Sequence, residues 1–190
     1  MGRGTERPLR ADARRNREKI LAAAVRAFTE DGLDVGLERI AKAAGVGSAT
    51  LYRNFPTRED LIEAAYRNEV ARLCEAATEL LAAHPPYEAL RAWTRRFMDY
   101  ASAKYGMADA LRAMAADGGN PYGHSRDMIE ASIAELMDAC TCAGAIRDDI
   151  PTSDIFAALA GIALTSAGPG QRAQAERLLD LTLDGLRRTA

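Results

Sequence analysis

The chain has 190 residues, of which 48% are hydrophobic and 27% are charged, so it can bury a core without disulfides or a structural metal. Taken alone, its formal net charge of −2 argues against a partner as anionic as DNA. The charge is unevenly spread, because residues 1–56 carry eleven Lys or Arg against seven Asp or Glu, a net +4 that leaves −6 on residues 57–190. The N-terminal part therefore remains a candidate for binding nucleic acid.

The cysteines and the apolar segments indicate the compartment. Three cysteines are an odd number, and no apolar stretch follows the N-terminus where a signal peptide requires one. We expect a cytoplasmic protein in which Cys140 and Cys142 are buried structural thiols, since side chains two residues apart on a helix point in different directions. The uncharged segment from Ile155 to Gln171 has an apolar core shorter than the roughly 20 residues of a membrane span, so no membrane association is expected.

The predicted elements are helical throughout, because Ala, Leu, Arg and Glu recur at spacings of three and four, while Val, Ile and Thr never alternate with polar residues over the length of a strand. Residues 1–12 combine Gly, Pro and Arg, and we expect them to form a disordered basic arm. Caps and breakers, among them Thr57 with Asp60 three residues later as the cap of the fourth helix, then divide an all-α chain into about nine helices. Their approximate bounds are 13–30, 37–44, 48–54, 57–83, 87–104, 107–116, 123–143, 152–166 and 171–188.

The second and third helices have the dimensions of a helix-turn-helix, with Gly45 allowing the left-handed backbone of the turn. Ile40, Leu51 and Phe55 can share a core with the first helix, which leaves a polar face pointing outward. Hydroxyls at the start of a helix followed by Tyr and Arg suit a DNA groove, where they meet phosphates and base edges. This outward face consists of Ser48, Ala49, Thr50, Tyr52, Arg53 and Asn54.

Three stretches of the N-terminal part resemble the DNA-binding domain of the TetR family of bacterial transcriptional regulators. They are REKILAAAVRAFTEDG at 17–32, IAKAAGVGSATLYRNFP at 40–56 and TREDL at 57–61. The match covers about 45 residues at fixed spacing, which makes it much more specific than a bare helix-turn-helix pattern. The resemblance implies a DNA-binding domain at 13–61 and a helical ligand-binding and dimerisation domain at 62–190.

The resemblance also implies which residues contact DNA. Thr50 and Tyr52 take the places of phosphate or base contacts, and Arg58 stands where the family usually has a phosphate-binding Lys. Gly47 departs from the family, which commonly caps the recognition helix with Ser there, and we expect Ser48 to take over that role. The full set of predicted DNA-binding residues is Arg14, Arg39, Lys42, Ser48, Ala49, Thr50, Tyr52, Arg53, Asn54, Thr57 and Arg58.

The last two predicted helices indicate a homodimer. Residues 155–167 carry no charge on any face, and a helix that is apolar all round must be covered on all sides, which in a domain this small favours a second subunit. A dimer also suits a palindromic duplex operator read by two recognition helices. The predicted interface residues are Phe156, Leu159, Ala163, Leu178, Leu179, Thr182, Leu183 and Leu186.

Helices five to seven hold most of the Met and aromatic residues that could line a cavity for a largely apolar small molecule of unknown identity. The predicted ligand-binding residues are Trp93, Phe97, Tyr100, Met114, Tyr122, His124 and Met128. No catalytic residues, metal ligands or cofactor site are predicted, because two distant histidines and adjacent carboxylates form no convergent site. The chain is therefore not expected to be an enzyme.

These patterns favour a DNA-binding transcriptional regulator that acts as a repressor and leaves a palindromic operator when a small molecule binds. Two alternatives stay open at this level. One is a helical small-molecule binding protein or enzyme with an incidental basic end, and the other is an effector-independent DNA-binding dimer whose cavity is filled by side chains.

Overall fold

The computed structural model describes residues 6–118, 120, 122, 124–166 and 170–188, with side chains from residue 11 onward. The described part of the chain is all-α, as predicted, apart from a single antiparallel bridge between Ile146 and Arg187. The helices are α1 (Glu6–Glu30), α2 (Leu37–Ala44), α3 (Ser48–Asn54), α4 (Arg58–Ala83), α5 (Pro86–Gly106), α6 (Ala108–Ala116), α7 (Ser125–Cys142), α8 (Thr152–Thr165) and α9 (Arg172–Leu186).

The start of α1 differs from the prediction, whereas the other helix ends lie within two residues of their predicted positions. The disordered arm expected at 1–12 is wrong for residues 6–12, which are helical, and residues 1–5 lie outside the described residues. Pro8 does not prevent the helix, because a proline in the first turn removes only an N–H that would have no partner within the helix. The composition that suggested disorder also contains good helix formers, among them Leu9 and Ala11.

Two compact units make up the chain. The first lies within Met1–Asn68 and Gly106–Pro121, and the second within Glu69–Tyr105 and Tyr122–Ala190. The predicted domain boundary at residue 61 differs from this division in two ways: α4 continues past the boundary to Asn68 as part of the first unit, and α6 belongs to the first unit as well. Position along the sequence did not indicate that α6 returns to the N-terminal unit, because that placement depends on contacts between distant segments.

The first unit is built around apolar residues of α1 to α4 and α6. Ile20 and Phe28 of α1, Ile40 of α2 and Leu51 of α3 are each at most 1% exposed. The end of α5 comes close to α1, since a Cβ added at Gly106 would lie 2.8 Å from the carbonyl oxygen of Phe28. These contacts hold α2 and α3 against α1 and leave the outer face of α3 to solvent.

The second unit contains most of α4 and α5 together with α7, α8 and α9. Trp93 is completely buried, and its indole N–H donates a hydrogen bond of 2.8 Å to the carbonyl oxygen of Leu73, which ties α5 to α4. Leu159 of α8 and Leu179 and Leu183 of α9 are at most 3% exposed and complete the core. No described helix is long and apolar enough to cross a bilayer.

Candidate nucleic-acid interface

The turn between α2 and α3 has the geometry that the sequence predicted. Gly45 ends α2 with φ of 68°, in the left-handed region that residues with a Cβ rarely adopt. Its amide hydrogen-bonds back to α2, and Leu51, fully buried, then anchors the inner face of α3. The opposite face of α3 is therefore presented outward, which is what a recognition helix requires.

The outer face of α3 is polar and partly organised by its own hydrogen bonds. Arg53 donates to the hydroxyl of Thr50 at 3.1 Å, and the amide of Asn54 donates to the Thr50 carbonyl oxygen at 2.8 Å. Ser48 and Ala49 are exposed, while Thr50 and Asn54 are half-buried. Because Arg53 is held over the helix rather than fully extended, its guanidinium is presented on the same side as the Thr50 hydroxyl.

Tyr52 is 42% exposed, and its hydroxyl donates a hydrogen bond of 3.0 Å to the carboxylate of Glu38 on α2. The Glu38 backbone and then the Tyr52 hydroxyl donate to this carboxylate and hold the pKa of Glu38 below its usual range. The same bond raises the pKa of Tyr52, since the phenol is kept as a donor. Glu38 was not among the predicted contacts, because a carboxylate fourteen residues from Tyr52 gives no local signal in the sequence.

Arg58, predicted to contact phosphate, is half-buried at the start of α4. One terminal nitrogen of its guanidinium, Nη1, donates to the carbonyl oxygens of Leu33 at 2.5 Å and Val35 at 2.9 Å. Both carbonyls belong to the connection between α1 and α2. The structure therefore gives this side chain backbone partners that the family resemblance did not predict.

The other predicted basic contacts lie on exposed surfaces of α1 and α2. Arg39 pairs with Asp31 at 2.9 Å and Arg14 with Glu18 at 3.5 Å, while Lys42 is exposed. Exposed pairs of this kind contribute little stability, so these cations can exchange a carboxylate for a phosphate at small cost.

Arg17 extends this basic surface and was not among the predicted contacts. The carbon of its guanidinium lies 4.5 Å from the centre of the Phe55 ring, just beyond the end of α3. The family resemblance placed Arg17 at the start of a motif but assigned it no role, and only the packing of α1 against Phe55 brings it beside the recognition helix.

The two predicted helix caps have different outcomes. Thr57 and Asp60 form a reciprocal cap at the start of α4, with the Thr57 amide donating to Asp60 and the Asp60 amide donating to the Thr57 hydroxyl, both at 3.0 Å. The prediction that Ser48 caps α3 is wrong, because Ser48 is the first helical residue and Gly47 occupies the cap position without a side-chain bond. Thr57, although exposed, therefore holds its hydroxyl in the cap of α4.

The predicted ligand-binding residues are only partly brought together. Trp93, Phe97 and Tyr100 of α5 are buried and stack along one face, with ring centres 5.9 and 5.8 Å apart, and Phe156 of α8 meets Phe97 edge-on. Met114 lies half-buried on α6 in the first unit, and the ring of Tyr122 lies 5.1 Å from the ammonium of Lys104.

Two of the predicted ligand-binding residues face solvent at the start of α7. The side chain of His124 is 91% exposed, and Met128 is 44% exposed. They do not form part of a buried pocket wall in this structure. The sequence could not exclude them, because Met and His occur both in cores and on surfaces.

One cleft in the second unit lies along α4 and α5 and has a volume of about 430 Å³. Of the predicted ligand-binding residues only Tyr100 lines it. The remaining lining is mostly charged: Glu69, Arg72, Leu73, Glu75, Glu79, Arg96 and Asp99. Its chemistry therefore differs from the apolar pocket that the sequence predicted. Among the described residues, no group of three His, Cys, Asp or Glu side chains is arranged to hold a metal ion.

The predicted interface residues fall into two groups. Phe156, Ala163, Leu178 and Thr182 are half-buried, whereas four leucines are at most 4% exposed and pack into the chain's own core: Leu159, Leu179, Leu183 and Leu186. The structure places these four in the chain's own core rather than on an outward face. The large apolar side chains exposed on α8 and α9 are instead Leu164, at 76%, and Leu181, at 70%.

An all-α chain that presents a polar recognition helix beyond a tight glycine turn has the architecture of a helix-turn-helix transcriptional regulator. Comparison with known families agrees: residues 20–65 match the model of bacterial regulatory proteins of the TetR family, and residues 85–188 match the C-terminal domain of SbtR-like transcriptional regulators. The chain belongs to the TetR family, and it is a DNA-binding transcriptional regulator.

Solved structures and curated relatives agree with this assignment. The TetR transcriptional regulator SCO0520 from Streptomyces coelicolor is 72% identical, with a TM-score of 0.88 over 92% of this chain and 99% of that one. A TetR regulator from Mycobacterium vanbaalenii is 36% identical, with a TM-score of 0.79 over 95% and 100% of the two chains. An HTH-type transcriptional regulator from Staphylococcus aureus (strain USA300) is 43% identical over 54 residues, which are 28% of this chain and 29% of that relative's length.

Proposed function

We propose that the protein is a homodimeric repressor without enzymatic activity, which binds a palindromic operator and leaves it when a small molecule binds the second unit. The observation behind this proposal is that Leu164 of α8 and Leu181 of α9 are largely exposed in the single chain. Large exposed apolar side chains on two adjacent helices favour a protein partner, and a second copy gives the two recognition helices that a palindrome needs.

The DNA-binding half of the proposal assigns roles to the predicted residues. Ser48, Thr50, Tyr52 and Arg53 would meet the major groove from the outer face of α3. Lys42 and the exposed arginines of α1 and α2 would neutralise flanking phosphates, together with Arg17. The basic charge of the N-terminal part supports this orientation toward the duplex.

The ligand half of the proposal is supported by the aromatic face of α5 and by a relative of the same fold. Trp93, Phe97 and Tyr100 supply flat apolar surface in the second unit. LfrR from Mycobacterium smegmatis, whose structure is a complex with proflavine, has a TM-score of 0.62 at 20% identity over 93% of this chain and 98% of that one. A largely apolar effector here would shift α4, which runs without interruption from the first unit into the second.

An effector-independent dimer is the second candidate, favoured by the complete burial of Trp93 and its bond to Leu73. In that case side chains fill the space that a ligand would occupy. A binding assay in the presence of small molecules separates the two candidates.

The test begins with selection of bound duplexes from a random pool, which should recover an inverted repeat. A panel of planar apolar compounds, proflavine among them, is then added to the complex, and DNA binding is followed by fluorescence anisotropy. A true effector should lose potency in Phe97→Leu but keep it in Tyr105→Leu, since Tyr105 on the same helix is 63% exposed. Recovery of single half-sites would contradict the dimer, and operator binding that no compound alters would favour the second candidate.

A further inference from the structure

Arg58 connects the start of α4 to the segment that leads into α2. Its Nη1 donates to the carbonyl oxygens of Leu33 and Val35, which lie 25 and 23 residues earlier in the sequence. A terminal guanidinium nitrogen carries two hydrogens, so two carbonyl partners use both of them. Charged hydrogen bonds of this kind, formed by a half-buried side chain, are stronger than those between neutral groups.

The segment held by Arg58 determines where α2 begins. Val35 and Leu37 are 7% and 8% exposed, so the chain enters α2 with its side chains inserted into the core. Gly36 caps α2 without any side-chain hydrogen bond, whereas the Arg58 bonds to Leu33 and Val35 fix the backbone just before the helix begins. A change in this segment would move the first turn of α2.

The first turn of α2 in turn orients the recognition helix. Glu38 lies in that turn and accepts the hydrogen bond from Tyr52 on α3. The charge of Arg58 lies close enough to contribute to the lowered pKa of Glu38, although hydrogen bonds from the Glu38 backbone and from Tyr52 contribute more. A continuous series of contacts thus runs from Arg58 through the 33–35 segment and Glu38 to Tyr52.

We propose that Arg58 is a positioning residue of the DNA-binding site, which fixes α2 and Tyr52 through the carbonyls of Leu33 and Val35 rather than by binding a phosphate. The proposal deepens the DNA-binding function stated above and rests on it. It also accounts for Arg in place of the family's usual Lys, because the Nη1 that donates to both carbonyls lies one bond farther from the backbone than a lysine ammonium does.

The experiment compares Arg58→Gln and Arg58→Lys with the unaltered protein. Amide hydrogen exchange of residues 33–38 is measured without DNA, and residues 172–186 of α9 serve as an internal reference for global stability. Affinity for a labelled DNA duplex of mixed sequence is then measured between about 50 and 200 mM salt. Lys42→Gln is the matched control, since it also removes one positive charge, from an exposed side chain that makes none of these contacts.

We expect both Arg58 variants to exchange faster at 33–38, with α9 unchanged, and to bind the duplex about tenfold more weakly, the size of effect that loss of one or two charged hydrogen bonds produces. Lys42→Gln should leave exchange unaltered and lower the slope of log affinity against log salt by about 0.9, as one lost phosphate contact does. Arg58→Lys decides between the two roles, because it keeps the positive charge and should still weaken duplex binding.

Two results would overturn the proposal. If Arg58→Lys binds like the unaltered protein, and Arg58→Gln shows unchanged exchange with a slope lower by about 0.9, Arg58 is a direct phosphate contact. If exchange at 33–38 rises in both variants while affinity stays the same, the bonds from Arg58 to Leu33 and Val35 stabilise the fold but do not position the DNA-binding site. Failure of the unaltered protein to bind duplex would count against the DNA-binding function itself, and the exchange data would still decide whether Arg58 holds the 33–35 segment.

Discussion

At the scale of single residues, the proposed DNA-binding surface depends on pairs of side chains from different helices. Tyr52 would be a freely rotating phenol on α3 if Glu38 of α2 did not accept its hydrogen bond. Fixing the ring before DNA arrives reduces the conformational entropy that binding must overcome. The carboxylate has an opposite effect on affinity, since it places a negative charge next to the phosphates.

The Glu38–Tyr52 hydrogen bond should be insensitive to pH across the neutral range. The pKa of Glu38 is lowered, so the contribution of the bond is complete above the ordinary carboxyl value of 4.5 and is lost as pH falls through the lower folded value. The pKa of Tyr52 is raised from 10.0, so the bond persists until pH rises beyond that value. NMR titration should show that Tyr52→Phe moves the Glu38 pKa upward.

Tyr105→Phe is the matched control for this titration, since it removes an exposed phenol hydroxyl from the second unit. It should leave the Glu38 titration unaltered. An unchanged Glu38 pKa in Tyr52→Phe would show that the hydrogen bond does not form in solution.

The cysteines differ in reactivity because their surroundings differ. Burial raises the pKa of the Cys140 thiol to about 11, whereas Cys142 is exposed, contrary to the expectation that both are buried. At pH 8 only about one Cys140 thiol in a thousand would be ionised, and access is closed as well. Iodoacetamide should therefore modify Cys142 well before Cys140, as followed by peptide mass spectrometry. Equal rates would contradict the burial of Cys140.

At the scale of helices, the position of each element is decided by close backbone contacts as well as by apolar faces. The end of α5 approaches α1 at Gly106, where a Cβ would lie 2.8 Å from the carbonyl oxygen of Phe28 and 3.0 Å from the Cα of Thr29. Both neighbours are backbone atoms, which cannot rotate away as a side chain does. A glycine at this position is required by space rather than by backbone conformation.

Gly106→Ala should therefore destabilise the first unit by about 1–3 kcal/mol, the usual cost of forcing an extra methyl group into a packed contact. Thermal unfolding followed by circular dichroism measures the effect. Ser102→Ala, at an exposed site on the same helix, is the control and should change stability little. Equal stability of the two variants would mean that α1 and α5 separate easily at this point.

At the scale of the whole molecule, the proposed association of two chains would use the exposed leucines of α8 and α9. These are Leu164 and Leu181, while Leu179 and Leu183 belong to the chain's own core. An acidic substitution at an exposed leucine should act on association, and one in the core should act on folding, because burying a charge in an apolar core is costly.

Leu181→Asp should yield folded monomers in analytical ultracentrifugation and weaken binding to a palindromic duplex. Circular dichroism should show its helices intact, in contrast to Leu179→Asp, which should lose helical structure. Ala173→Asp, at an exposed position elsewhere on α9, serves as the control and should remain dimeric. A dimeric Leu181→Asp protein would place the interface on another surface.

The local features could be predicted from the sequence: α2 and α3 with their glycine turn, the Thr57–Asp60 cap, and the polar outer face of the recognition helix. Such features depend on residues within a few positions of one another, where periodicity and capping chemistry operate. Three features became visible in the folded chain alone: Arg58 holds the 33–35 segment, Glu38 holds Tyr52, and Leu181 rather than Leu179 or Leu183 faces outward on α9. These depend on contacts between segments distant in the sequence and on the rotation of each helix about its axis, and a helix with apolar residues on several faces leaves that rotation open.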